Sequence, residues 1–197
     1  MSPKVTQQYK LELREKIIKA AIDAFSKYGF DRTRMDDVAK TADLSKGTIY
    51  LHFKSKEDLF YAICENNLAE AKQRISTMFA KKEDLVSEIE RFYDVFRKKK
   101  TANERVFFET IAESARNAEL RKALYKQRMN IFETAVGWVN LQIERGFFRK
   151  NIDANAIAVG LVSLYDGLTV NKLLGVSEDY NKKAWVETIR AIIIGIS

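Results

Sequence analysis

One cysteine (Cys64), one histidine (His52) and one proline (Pro3) stand among 197 residues. A lone cysteine excludes an internal disulfide, and a lone histidine excludes the usual Cys/His zinc clusters. Both absences also remove most nucleophile–base pairs, which set a serine or cysteine beside an imidazole. With no cofactor loop or metal set either, the chain reads as no enzyme, with no cofactor and no metal. No apolar run reaches the length of a membrane span, and residues 1–16 lack the apolar core of a signal peptide. The expected location is the cytoplasm, without a membrane partner. Strand-like alternation bounded by turn residues is missing, no repeat of fixed period occurs, and there are only eight glycines. Helical spacing runs almost throughout, so the fold class is all-α.

Hydrophobic residues make up 46% of the chain, enough for a globular protein of one or two domains. The net charge is +7 and the pI about 9.3. That suits a polyanion partner, though a merely lysine-rich surface gives the same figure. Residues 1–60 carry 12 Lys+Arg against 9 Asp+Glu, and the remainder 22 against 18. Charge alone therefore does not locate a nucleic-acid face.

The chain's most informative stretch is Leu44 to Glu57. Ser45 is a good N-cap, and only about two helical turns follow before Lys54-Ser55 break the run. Ser55 caps again, with Asp58 three residues on in a variant capping box. Ile49 and Phe53 are four apart and share a buried face, leaving Lys46, Thr48, Tyr50, Leu51 and His52 on the others. Before this comes a helix from about Lys10 to Tyr28, with Ile18, Ile22 or Ala21, Phe25 and Tyr28 as its apolar stripe. Gly29 follows as its terminator. A second helix spans about Met35 to Thr41, with Met35, Val38 and Ala39 inward, and Ala42-Asp43-Leu44 turns into the short one. Two short helices joined by a tight turn, with a longer helix across them, make a helix-turn-helix.

From Ser55 a helix extends to about Ala80, buried along Leu59, Ile63, Ala71, Ile75 and Phe79. Further helices are expected near 83–99, 103–115, 118–145, 154–174 and 179–196, about nine in all. Arg97-Lys98-Lys99-Lys100 reads either as a second phosphate-binding patch or, preferably, as cations favouring a helix C-terminus far from the short helix. The expected architecture is a three-helix bundle in residues 1–55, then a larger antiparallel helical domain in 56–197. The last two helices are apolar on more than one face and must be buried on more than one side. The extra face is assigned to a homodimer interface of Leu161, Leu164, Leu168, Trp185, Ile189, Ile192 and Ile193, burial within the domain being the alternative.

From Gly29 to Phe60 the chain resembles the DNA-binding region of the TetR family, the tetracycline-repressor-like transcription regulators. The resemblance rests on Gly29-Phe30, Thr33, Asp37-Val38-Ala39, Ala42-x-Leu44-Ser45-Lys46-Gly47-Thr48-Ile49-Tyr50-x-His52-Phe53 and Ser55-Lys56-Glu57-x-Leu59. It implies a DNA-binding role for Thr33, Arg34, Ser45, Lys46, Gly47, Thr48, Tyr50, Leu51, His52 and Lys56. Lys46, Gly47 and Thr48 would approach base edges and phosphates, and Leu51 a thymine methyl. Tyr50, His52 and Lys56 would reach the phosphate backbone. Tyr50 has a partly buried core residue as its alternative, and Lys46 a solvated lysine. Two positions depart from the family pattern. Asp43 stands where glycine is usual, and Arg34 where a capping side chain is usual, so Thr33 is expected to cap the second helix while Arg34 reaches a phosphate.

The resemblance also implies an effector cavity in the C-terminal helices. Phe92, Phe96, Phe108, Glu109, Trp138, Tyr165 and Asp166 are its candidate lining, with plain core packing as the alternative. The implied function is a ligand-responsive regulator, a repressor that binds a palindromic double-stranded DNA operator as a homodimer and is released by a small-molecule effector. The competing reading is a helical ligand-binding or adaptor protein without DNA binding.

Overall fold

A computed structural model describes residues 6–79, 85–97 and 101–197. Among the described residues there are nine helices and no strand: α1 Gln7–Tyr28, α2 Met35–Ala42, α3 Lys46–His52, α4 Lys56–Thr77, α5 Leu85–Arg97, α6 Thr101–Ser114, α7 Ala118–Glu144, α8 Ala154–Leu173 and α9 Glu178–Ile196. No described helix is long and apolar enough to cross a membrane.

Local chemistry sets the ends of the first helices. Thr6 caps α1 by accepting the Tyr9 N–H, and Gly29 stops it at φ 80° while donating to the Phe25 carbonyl. Ile17, Ile18, Ala21 and Phe25 are buried along α1. Tyr28, expected in that stripe, stays outside at 44% exposure. The inward aromatic contact at this end of α1 is made by Phe25, with its ring centroid 5.2 Å from that of Phe30, while the Tyr28 ring lies 5.0 Å from the Lys27 ammonium. α2 buries Met35, Val38, Ala39 and Ala42, then ends at Asp43 in the left-handed region, φ 51° and ψ 53°. Asp43 is the one non-glycine with positive φ among the described residues. There the Leu44 N–H donates to the Ala39 carbonyl, which closes the turn into α3.

At α4 the Ser55 hydroxyl accepts the Asp58 N–H at 3.2 Å, as expected of a cap. The Asp58 carboxylate, however, reaches the Lys54 N–H at 3.1 Å, one residue before the position a standard capping box would use. α4 ends at Thr77, three residues short of the sequence reading. Lys98, Lys99 and Lys100 of the basic run lie outside the described residues.

The chain forms two compact units. The first joins Met1–Asn67 with Ala102–Gln127, and the second joins Leu68–Thr101 with Arg128–Ser197. The boundary drawn from the sequence after residue 55 does not coincide with this division. Val106 of α6 and Leu120 of α7 share a core with Phe25, Phe30, Ile49, Phe53 and Leu59. The helix-turn-helix is thus built on a unit that takes in helices from well along the chain.

The second unit has its own core, including Phe79, Leu85, Ile89, Tyr93, Val139, Phe148 and Ala158. Leu168, Trp185, Ile189 and Ile193, assigned from the sequence to a dimer interface, are buried in this same core. The Trp185 indole N–H donates to the Ile89 carbonyl at 3.1 Å, so α9 is held by α5. Leu161, Leu164 and Ile192 are half-buried and pack against it. The large aliphatic groups that α8 and α9 leave exposed are Val159, Val170 and Ile194, with Tyr180 exposed at the start of α9. A stripe of large apolar residues can be buried within a domain as well as against a second copy, and here most of it is used internally.

Candidate nucleic-acid interface

α3 has seven residues and a sharp division of faces. Ile49 is wholly buried and Phe53, its C-cap, nearly so. Tyr50 and Leu51 point outward at 46% and 86% exposure. Leu51 thus lies almost wholly outside the core in which α3 is anchored. Ser45 caps by accepting the Thr48 N–H at 3.1 Å, and its hydroxyl also bonds the Thr48 hydroxyl at 2.8 Å. A Cβ at Gly47 would meet only the Ser45 Oγ, at 3.8 Å. The glycine therefore answers no packing need within the chain, and it leaves the backbone open from outside. His52 is half-buried.

The cations are less free than the sequence implies. Lys46 Nζ sits 2.7 Å from Asp36 Oδ1, both side chains being largely exposed. The hydrogen bond to Asp36, with its charge, holds the Lys46 ammonium pKa above its usual value. An ion pair so exposed is readily exchanged for another anion. Lys56 donates to the Phe30 carbonyl at 3.1 Å and the Asp31 carbonyl at 2.8 Å, with its ammonium 4.7 Å from the Phe30 ring centroid. Two of its three donors thus lock the α1–α2 connection, and one remains for an anion.

Thr33 is corrected outright. It is 1% exposed, and its hydroxyl donates to the Gly29 carbonyl at 2.6 Å. It neither caps α2 nor presents a group to a phosphate. The α2 N-cap is Arg34, whose own backbone N–H is taken by the Asp37 carboxylate at 2.9 Å. The Arg34 side chain is exposed. A residue that sequence reasoning did not single out is Arg14 of α1, whose guanidinium lies 4.5 Å over the Phe53 ring at the end of α3.

The expected effector lining is divided between the two units. Phe108 and Glu109 belong to the first unit. The Glu109 carboxylate accepts the Phe30 N–H at 3.3 Å, so it fixes backbone. Phe92, Trp138 and Tyr165 belong to the second unit, in a run of touching rings. Phe92 stacks on Trp185 at 5.4 Å, Trp138 meets Phe79 edge-on at 5.2 Å, and Tyr165 meets Trp185 at 6.3 Å. Asp166 pairs with Arg128 at 2.6 Å, and burial pushes its carboxyl pKa up against the pull of that guanidinium. The Phe96 side chain lies outside the described residues. In the first unit an open polar cleft of about 490 Å³ lies between the end of α1 and α6, with Lys27, Arg32, Arg105, Glu109 and Glu113 among its lining. No group of three or more His, Cys, Asp or Glu among the described residues could hold a metal.

A left-handed turn between two short helices, a third helix behind them and an outward polar face define an all-helical helix-turn-helix protein. Residues 17–63 match the family model of bacterial regulatory proteins of the tetR family. The chain thus carries, over those residues, a region similar to the DNA-binding domain of that family. It is 29% identical over 177 residues to the HTH-type transcriptional regulator YfiR of Bacillus subtilis, covering 88% of this chain and 86% of that one. Over 54 residues it is 37% identical to IcaR of Staphylococcus epidermidis, a negative transcriptional regulator of the biofilm operon icaADBC, covering 27% of this chain and 29% of that one. Its fold is similar to that of FadR from Bacillus subtilis, whose crystal structure holds stearoyl-CoA. The TM-score is 0.70 and the identity 20%, over 91% of this chain and 96% of that one.

Proposed function

We propose that the protein is a ligand-responsive repressor that acts in the cytoplasm, binding a palindromic operator as a homodimer and leaving it when a small-molecule effector binds. The observation that carries the DNA role is the outward face of α3, where Tyr50 and Leu51 are exposed although Ile49 between Thr48 and Tyr50 is buried. Leu51 is suited to a thymine methyl in the major groove, and Lys46 to a guanine edge once released from Asp36. Gly47 lets the backbone approach, while Ser45 and Thr48 offer hydroxyls. Tyr50, His52, Arg34 and the remaining donor of Lys56 serve the phosphates, which position the protein without reading sequence. Two copies would set their α3 helices in successive major grooves, roughly 34–36 Å apart.

The dimer face we propose is the open side of α8 and α9, Val159, Val170 and Ile194, bordered by Leu161, Leu164 and Ile192. Repression is supported by the negative regulator among the relatives, and an effector by a neighbour of the same fold that holds a ligand. The effector would act by favouring a conformation with the wrong spacing of the two α3 helices. Binding of the full-length protein to the DNA upstream of its own gene, measured across salt, tests the reading. A salt-sensitive, sequence-selective complex is expected. Tyr50→Phe should weaken binding to all sequences alike, whereas Lys46→Ala should change sequence preference. A protein that binds small molecules but no DNA would favour the adaptor reading instead.

A further inference from the structure

We infer that the first turns of α1 form a second DNA contact, in which Arg14 and Lys10 grip a phosphate beside the groove that α3 enters. The inference rests on the DNA-binding reading above and adds residues that neither the motif nor the family match covers, since that match begins at residue 17. α1 is longer than the bundle it packs in. Ile17 and Ile18 are its first buried residues, and residues 7–12 are all exposed. Arg14 lies four residues before Ile18, on the same stripe as Ile18, Ala21 and Phe25, and Lys10 lies four before Arg14. The face that is apolar inside the bundle therefore continues beyond it as a cationic face, pointing the same way.

Arg14 shows where that face points. Its guanidinium rests on Phe53, the residue that ends α3. That contact uses none of its five N–H donors, and planar guanidinium forks match phosphate oxygens. Neither Arg14 nor Lys10 has an acidic partner among the described residues. The nearby carboxylates of α1 lie elsewhere around the axis, and Glu12 is already bonded to Gln8 at 2.9 Å. An arginine held by an aromatic ring beside the recognition helix, with every donor unused, is pre-ordered for an anion that the chain does not supply. The phosphate backbone flanking the α3 site is the anion of matching charge and place.

The test uses the full-length protein, with duplexes from its own upstream region and an unrelated duplex, titrated across salt. Arg14→Met keeps the aliphatic packing on Phe53 and removes charge. It should lower affinity about tenfold for every duplex alike, as expected for a lost charge-assisted bond. The slope of log K against log salt should fall by about one per protomer. Arg14→Lys should recover most of the loss. Lys10→Gln, at an exposed site, should lower the slope with a smaller loss of affinity. Thermal unfolding of each variant accompanies the titration. Wild-type salt slopes in both Arg14→Met and Lys10→Gln, or losses confined to some base sequences, would overturn the inference while leaving the DNA reading intact. Failure of the wild-type protein to bind any duplex would overturn both.

Discussion

The stop of α1 offers a sharp quantitative test. Gly29 has φ 80° and ψ 161°, a region reserved almost wholly for glycine. A Cβ built there would lie 2.9 Å from Glu109 Oε2, the atom that accepts the Phe30 N–H at 3.3 Å. Gly29→Ala should therefore carry two costs. Backbone strain accounts for about 1–3 kcal/mol. The second is smaller. The clashing atom is the end of a flexible side chain, so Glu109 swings away and gives up its bond, about 0.5–1 kcal/mol for a long bond at an exposed group. Glu109→Ala alone should cost that second amount and no more. In the double variant the bond is already gone and the clash with it. The two substitutions together should then cost less than their sum by about 0.5–1 kcal/mol. Urea unfolding followed by far-UV circular dichroism, at one fixed protein concentration, measures all three. Trp138 and Trp185 both lie in the second unit, so indole fluorescence reports separately whether the loss stays in the first. Additivity within about 0.3 kcal/mol, or a Gly29→Ala cost below about 0.5 kcal/mol, would refute this account of the α1 terminus.

Two further outcomes follow from other strained or buried groups. Asp43→Gly removes the left-handed strain of a non-glycine but adds freedom to the unfolded chain, so a net gain of only about 0.5 kcal/mol is expected from urea midpoints. It also takes a carboxylate away from the α2–α3 turn, so DNA binding should tighten, and a drop in both would mean that the Asp43 side chain holds structure. Asp166 has a folded-state pKa raised by burial above the ordinary carboxylate value, despite the opposing pull of Arg128. A raised acid pKa means that the folded chain takes up the proton first, so stability from this group rises as pH falls through the folded pKa toward 3.8. Wild type should gain on Asp166→Asn in thermal unfolding as pH is lowered through that window, and an opposite trend would place the pKa below the ordinary value.

The helix-turn-helix was legible because its determinants are local. Ser45 caps the helix that it begins, Asp43 takes the left-handed turn, and Ile49 and Phe53 go inward at a spacing of four. Each depends on a few neighbouring residues, and pattern reasoning handles that range well. The roles of α8 and α9 were harder to read, because two apolar faces look alike in sequence. Trp185 is buried in the core, and the Ile89 carbonyl that accepts its indole N–H there is 96 residues away. Glu109 was likewise read as a group for an effector, yet its partner is the Phe30 N–H, 79 residues back. Arg14 carries no motif, and only the ring of Phe53 beneath it shows that it belongs with α3.

Three assignments made from the sequence meet one physical constraint at the DNA-binding end. Thr33, Lys56 and Glu109 were read as groups for DNA or effector, yet all three bond the backbone between Gly29 and Asp31. That connection leaves α1 through a glycine and enters α2 at Arg34, whose side chain makes no cap bond. Its carbonyls and the Phe30 N–H therefore lack the partners that a helix would give them, and unpaired polar backbone is costly once partly buried. The chain supplies those partners from three side chains, one at the entry to α2, one on α4 and one on α6. A polar residue within a nucleic-acid motif thus has two competing claims on it, one from phosphate and one from the chain's own unpaired backbone. Where an irregular connection lies within reach, as for Lys56, the backbone claim is met first, and only the donors left over can serve DNA.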